Sequence, residues 1–105
     1  MALRIETTET DGGQRIKVEG EVDLSSSPEL RTAILKAMPK GKGTVAVDLS
    51  GVPYMDSSGV ATLVEGLKSA GKQCADFVLV SPSAAVMKVL QLSRLDTVFD
   101  IREEP

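Results

Sequence analysis

Apolar residues alternate with polar ones from Leu3 to Thr8, at Leu3, Ile5 and Thr7, and again from Gln14 to Val22, at Ile16, Val18, Gly20 and Val22. A period of two is that of a half-buried strand. Between the runs lies Asp11-Gly12-Gly13, rich in residues that accept positive φ, so the pair reads as an antiparallel hairpin. Gly20 inside the second run marks a bulge or a close backbone approach.

The period then changes. Leu30, Ala33, Ile34, Ala37 and Met38 recur at helical spacing, ending at Pro39 and Gly41. Two starts fit this helix: Ser26 with Glu29 as a capping box, or Ser27 as cap with Pro28 at the first helical position. Val45-Ala46-Val47-Asp48-Leu49 fits an interior strand. Val60, Leu63, Val64 and Leu67 form a second helical stripe, with Gly71 placed as its C-cap. Phe77 to Val80 is a further buried strand, and Ser81-Pro82 opens a third helix through Val86, Val89 and Leu90. Thr97 to Ile101 closes the pattern as a last short strand, followed by a charged tail from Arg102 to Pro105.

The order is β-β-α-β-α-β-α-β in one domain over residues 1–105. Strands alternating with helices imply parallel pairing through right-handed crossovers, hence an α/β fold with a mixed sheet packed against amphipathic helices. Strand order is not legible from the pattern. If successive strands add in one direction, all three helices share a face and leave the other incompletely covered.

Composition narrows the function. Net charge is -3, with no basic block to form a nucleic-acid or anionic-lipid footprint, and two Phe and one Tyr supply no stacking platform for bases. No apolar run is long enough to span a membrane, and the first residues lack the apolar core of a signal peptide. The single cysteine, Cys74, cannot form an internal disulfide, consistent with a cytoplasmic protein; it reads as a small core or near-core residue. With no histidine in the chain, Ser-His and Cys-His nucleophile pairs and the usual zinc sites are excluded. Neither a cofactor nor a metal site is expected. Met38 and Met87 read as core filler, Lys40-Gly41-Lys42 as a solvated turn, and Asp48 and Asp76 as edge or locally hydrogen-bonded carboxylates.

Chemistry concentrates at Asp56-Ser57-Ser58-Gly59, where a strand gives way to a helix. Such residues are common helix caps. A helix start also offers unpaired N–H groups and a partial positive charge, so it accommodates an anion. A hydrolase elbow fails: the Gly-x-Ser-x-Gly pattern would need glycine where Met55 stands, and no histidine exists. A phosphate-binding P-loop fails for want of its Gly-x4-Gly-Lys run. A phosphoacceptor serine remains, whose phosphate would add about -1.5 to -2 charges beside Asp56. Spacing alone does not separate Ser57 from Ser58.

The element order, the Gly20-Glu21-Val22-Asp23 strand end and the run from Val47 to Val60 together resemble the STAS domain (sulfate transporter and anti-sigma factor antagonist), over essentially the whole chain. The resemblance implies a non-enzymatic, phosphorylation-switched binding module, an anti-sigma factor antagonist. Unphosphorylated, it would bind an anti-sigma factor serine kinase and so free a sigma factor. Phosphorylation of the first serine after the aspartate, here Ser57, would weaken that complex, and a PP2C-type phosphatase would restore it. The implied partner surface is Asp23, Leu24, Ser25, Asp56, Ser57, Ser58, Gly59 and Thr62. The alternative is a STAS subunit of a membrane transporter or lipid-transport ATPase, docking without phosphorylation. Nucleotide binding and homo-oligomerisation are left open.

Overall fold

The computed structural model describes residues 3–104 and holds β1 (Arg4–Thr10), β2 (Gly13–Glu19), α1 (Ser27–Ala37), β3 (Thr44–Gly51), α2 (Ser57–Lys72), β4 (Asp76–Val80), α3 (Ala84–Leu92) and β5 (Asp100–Arg102). The element order expected from the pattern is the one observed. The strands lie side by side in chain order, β1-β2-β3-β4-β5, with β1 antiparallel to β2 and the rest parallel. Gly12, at φ 83°, completes the two-residue turn of the hairpin.

One strand face carries Ile16, Val18, Val45, Val47, Leu49, Phe77 and Leu79, and these form a single core with Leu30 and Ile34 of α1, Leu63 of α2, and Val86 and Leu90 of α3. All three helices therefore pack on the same face. The alternate positions, Arg15, Lys17, Ala46, Asp48, Val78, Val80, Asp100 and Arg102, line the other face. Arg15 bridges Asp48 at 3.1 Å and Glu104 at 2.8 Å there. Burial pushes the Asp48 carboxyl up, but hydrogen bonds from Ser50 and Arg15 outweigh it and hold the group below its ordinary range. Asp76, by contrast, is exposed.

Several boundaries differ from the sequence reading. The second strand stops at Glu19, where the ladder with β3 shifts register after Lys17, and Gly20 follows at φ 115°. Beyond this bulge the chain rejoins β3's continuation through one bridge, Val22 to Met55. For α1 neither start holds in full. Ser26 is the N-cap and Pro28 lies in the first turn, but the Ser26 hydroxyl donates backward to the Glu21 carbonyl and makes no cap bond. The α3 cap is Ser83, which accepts from the Val86 amide, so Ser81-Pro82 precedes the helix.

Gly71 is not the end of α2. The helix runs on to Lys72, and Cys74 takes the left-handed position at φ 58°, with Ala75 N–H bonding to Ala70 O at 2.9 Å and Cys74 N–H to Gly71 O at 3.3 Å. That is the paired-bond ending usually built on glycine. It turns Cys74 outward, so the cysteine is exposed and not near the core. Arg94 ends α3 the same way at φ 58°, and the loop after it consumes Thr97 and Val98, so β5 begins only at Asp100. Met38 and Met87 pack partly buried against the core.

Candidate functional site

Two loops meet at one end of the sheet. Val22 N–H donates to Tyr54 O at 2.9 Å and Asp56 N–H donates to Val22 O at 3.1 Å, which sets the β2–α1 loop beside the start of α2. Gly59 makes this approach possible. A Cβ there would stand 2.5 Å from Met55 Cγ and 2.8 Å from Val22 Cγ1, closer than carbon atoms can pack.

Asp56 is the N-cap of α2 in extended backbone. Its Oδ1 accepts from the Ser58 amide at 2.9 Å and from the Ser58 hydroxyl. Its backbone carbonyl accepts from the Gly59 and Val60 amides at 3.1 and 3.2 Å. The helix start is therefore already served by a carboxylate of its own, and the anion site anticipated from the sequence is filled from within. The Ser58 hydroxyl first, then the Ser58 and Gly59 amides, hold the Asp56 carboxyl below its usual range, against partial burial and the charge of Asp23.

Asp23 makes the same turn. Its Oδ1 accepts from the Ser25 amide at 3.0 Å and the Ser25 hydroxyl at 2.8 Å, and also from the Ser26 amide at 3.1 Å. The Ser25 hydroxyl and Ser26 amide lower its pKa in turn. A third copy sits at the end of β3, where Asp48 Oδ1 accepts from the Ser50 amide at 3.0 Å and the Ser50 hydroxyl at 2.7 Å. The signal was in the chain as Asp-x-Ser, three times over, and the sequence reading missed it. An aspartate that bonds the backbone two residues on is the known preference of this side chain in turns.

Each turn leaves its middle residue unengaged by the aspartate. In the α2 turn that residue is Ser57, exposed at N1 with no hydrogen bond from its hydroxyl among the described residues, whereas Ser58 is committed to Asp56. In the β2–α1 turn it is Leu24, 79% exposed. Ser25 is exposed beside it, and Tyr54, which the sequence reading did not single out, adds a half-exposed aromatic next to the α2 start. Gly59 and Thr62 lie underneath. Thr62 is 7% exposed and its hydroxyl donates to the Ser58 carbonyl at 3.0 Å, so it braces the first turn from inside. The structure thus gathers Asp23, Leu24, Ser25, Asp56, Ser57 and Ser58 on one surface, with Gly59 and Thr62 as its support.

A family model described as "Mlab, STAS domain" matches residues 5–103 of this chain. The chain belongs to the STAS family. This STAS domain is 29% identical over 103 residues to the anti-sigma-B factor antagonist of Staphylococcus aureus, covering 98% of this chain and 95% of that one. It resembles an anti-sigma factor antagonist structure from Mycobacterium paratuberculosis at a TM-score of 0.83 and 26% identity, over 95% of this chain and 85% of that one. SpoIIAA in its unphosphorylated form matches at 0.76 and 24% identity (98% and 88% covered), and Bacillus SpoIIAA in the phosphorylated form at 0.71 and 23% (98% and 91%). No helix of the STAS domain is long and apolar enough to cross a membrane among the described residues.

Proposed function

We propose that this STAS domain is an anti-sigma factor antagonist, a cytoplasmic binding protein without catalysis of its own, switched by phosphorylation of Ser57. Unmodified, it docks an anti-sigma factor serine kinase through Asp23, Leu24, Ser25, Asp56, Ser57 and Ser58, and a sigma factor is released. The kinase transfers the γ-phosphoryl of ATP to Ser57 Oγ, the hydroxyl proton being lost and ADP leaving. A PP2C-type phosphatase hydrolyses the ester and resets the domain. The named relatives, antagonists of anti-sigma factors, support the antagonist role.

One observation carries the choice of residue. Of two adjacent serines, Ser58 donates to Asp56 while Ser57 stands exposed and uncommitted. A phosphate on Ser57 would meet helix N–H groups already bonded to Asp56, and two carboxylates held ionised. It would gain little from its own domain and would alter the surface a partner meets. The match of the fold to both forms of SpoIIAA supports a switch that leaves the backbone in place.

Incubation with the partner kinase and ATP, then mass mapping, is expected to place one phosphate on Ser57 and none on the Ser57→Ala variant. A kinase that binds the intact domain and never modifies it would overturn the switch. It would favour the second reading, a transporter or lipid-transport ATPase subunit docking through the same surface, which the family description leaves available because it does not name antagonists.

A further inference from the structure

The chain has three aromatic residues, and they are used unequally. Phe77 and Phe99 meet in the core, ring centroids 6.4 Å apart. Tyr54 stands 48% exposed just ahead of Ser57, although Met55 after it is buried. Among the large apolar side chains left in solvent in the described residues, Leu24 and Tyr54 share this end of the sheet. The others, Leu92 and Val98, lie at the end of α3 and in the loop beyond it.

The backbone sets what lies beside the ring. Tyr54 O accepts from Val22 N–H at 2.9 Å, within the parallel bridge between Val22 and Met55. Residues paired in a bridge project to one side of the sheet, and their chain neighbours project to the other. Val22 and Met55 belong to the core, so Glu21 and Tyr54 lie abreast on the side turned away from the helices. Asp23 and Asp56 follow two positions on, toward α2.

Glu21 is exposed and joins no ion pair among the described residues. Residues 19–30 and 48–67, which build this end, contain no lysine or arginine. Arg15 and Arg31 are held by Asp48 and Glu65, and Lys17 lies farther back, abreast of Asp48. A cation for Glu21 therefore has to come from outside the domain.

We propose that Tyr54 and Glu21 together receive an arginine of the partner kinase, its guanidinium over the ring and its N–H groups on the Glu21 carboxylate. The inference rests on the docking reading above and carries that surface round the helix start to the open side of the sheet. Arginine suits the pair because its planar, weakly hydrated cation stacks on aromatic faces and its fork of donors matches a carboxylate. Tyrosine is also a residue on which binding energy concentrates. The contact is separate from the switch, since Glu21 and Tyr54 lie ahead of Asp56 and Ser57 lies past it.

Calorimetric titration of the kinase with variants of the whole domain tests this, with thermal unfolding as the fold control. Tyr54→Phe, which keeps the ring, is expected to bind within about twofold of wild type. Tyr54→Leu, apolar without a π face, and Glu21→Gln are each expected to lose about fivefold or more. Both changes together are expected to lose less than the product of the two, because they hold one cation. Should Tyr54→Leu melt early, Glu21→Lys decides, with a loss of about tenfold or more expected from a fully exposed position. A wild type that does not bind the kinase would overturn the docking reading and this inference together. A wild type that binds, with Tyr54→Leu as tight as Tyr54→Phe, Glu21 variants unaffected, or losses that multiply, would overturn this inference alone.

Discussion

Asp23-Leu24-Ser25 and Asp56-Ser57-Ser58 are one turn used twice. In both, an aspartate Oδ1 takes the amide and hydroxyl of the serine two residues on, and the residue between is left uncommitted. They differ in what they display and what they hold. The first offers a leucine, 79% exposed, in a loop whose helix begins only at Ser27. The second offers a serine hydroxyl at the start of a 16-residue helix that its aspartate caps directly. The third copy, Asp48-Leu49-Ser50, is the control. Its middle residue is part of β3 and fully buried, so the turn alone does not create a site. A middle residue that lies outside the strand and faces solvent does.

The register between the two turns is the most fragile part. Gly59→Ala places a carbon where Met55 and Val22 already are. It is expected to destabilise by about 2 kcal/mol, roughly a 10 °C fall in Tm for a domain of this size, as overpacked cores do. Thermal unfolding measures this, and a Tm within a degree of wild type would mean the loops are not locked together.

Next come the aspartates, which separate the turns. Asp56→Ala removes the cap of α2 and is expected to cost about 1 kcal/mol, with Asp56→Asn restoring most of it. Asp23→Ala, whose carboxylate bonds the Ser25 and Ser26 amides ahead of α1 and not an amide of the helix itself, is expected to shift denaturation less. Equal losses would erase the distinction drawn between the two turns.

The displayed residues come third. Ser57→Ala and Leu24→Ala are expected to leave stability within about 0.5 kcal/mol, since neither side chain packs in the domain. Leu24→Ala is nonetheless expected to weaken partner binding at least tenfold in calorimetry. An unaffected affinity would remove Leu24 from the interface.

Smallest is the effect of acid. The folded pKa values of Asp23 and Asp56 lie below their unfolded values, so the stability they lend is complete above the ordinary carboxylate range near 3.9 and is lost as pH falls through the folded values. Protection of the Ser25 and Ser58 amides from hydrogen exchange is expected to fall in that window. Protection unchanged through it would contradict the turns as drawn.

Most of the frame was legible because period and punctuation agree: alternation in β1 and β2, the Asp11-Gly12 turn, and an apolar stripe beginning just after Asp56. The helix ends were not. Gly71 is the better residue for a left-handed ending, yet the helix extends past it because Ala75 and Cys74 can bond back to Ala70 and Gly71. The left-handed ending formed at Cys74, three residues past the glycine, and with it went the expected burial of Cys74. The site was legible as a cluster of residue types. Which serine is free follows from the Asp56 carboxylate reaching two residues on to Ser58, a preference that the Asp-x-Ser spacing carries and the sequence reading did not use.

The most direct test is a binding titration of the kinase partner against the unmodified domain and against the same domain carrying phosphate on Ser57. The account predicts at least a tenfold loss of affinity, about 1.4 kcal/mol, with amide chemical shifts changed only around the two turns. Equal affinities, or a loss accompanied by shifts throughout the sheet, would contradict a switch made by surface charge alone.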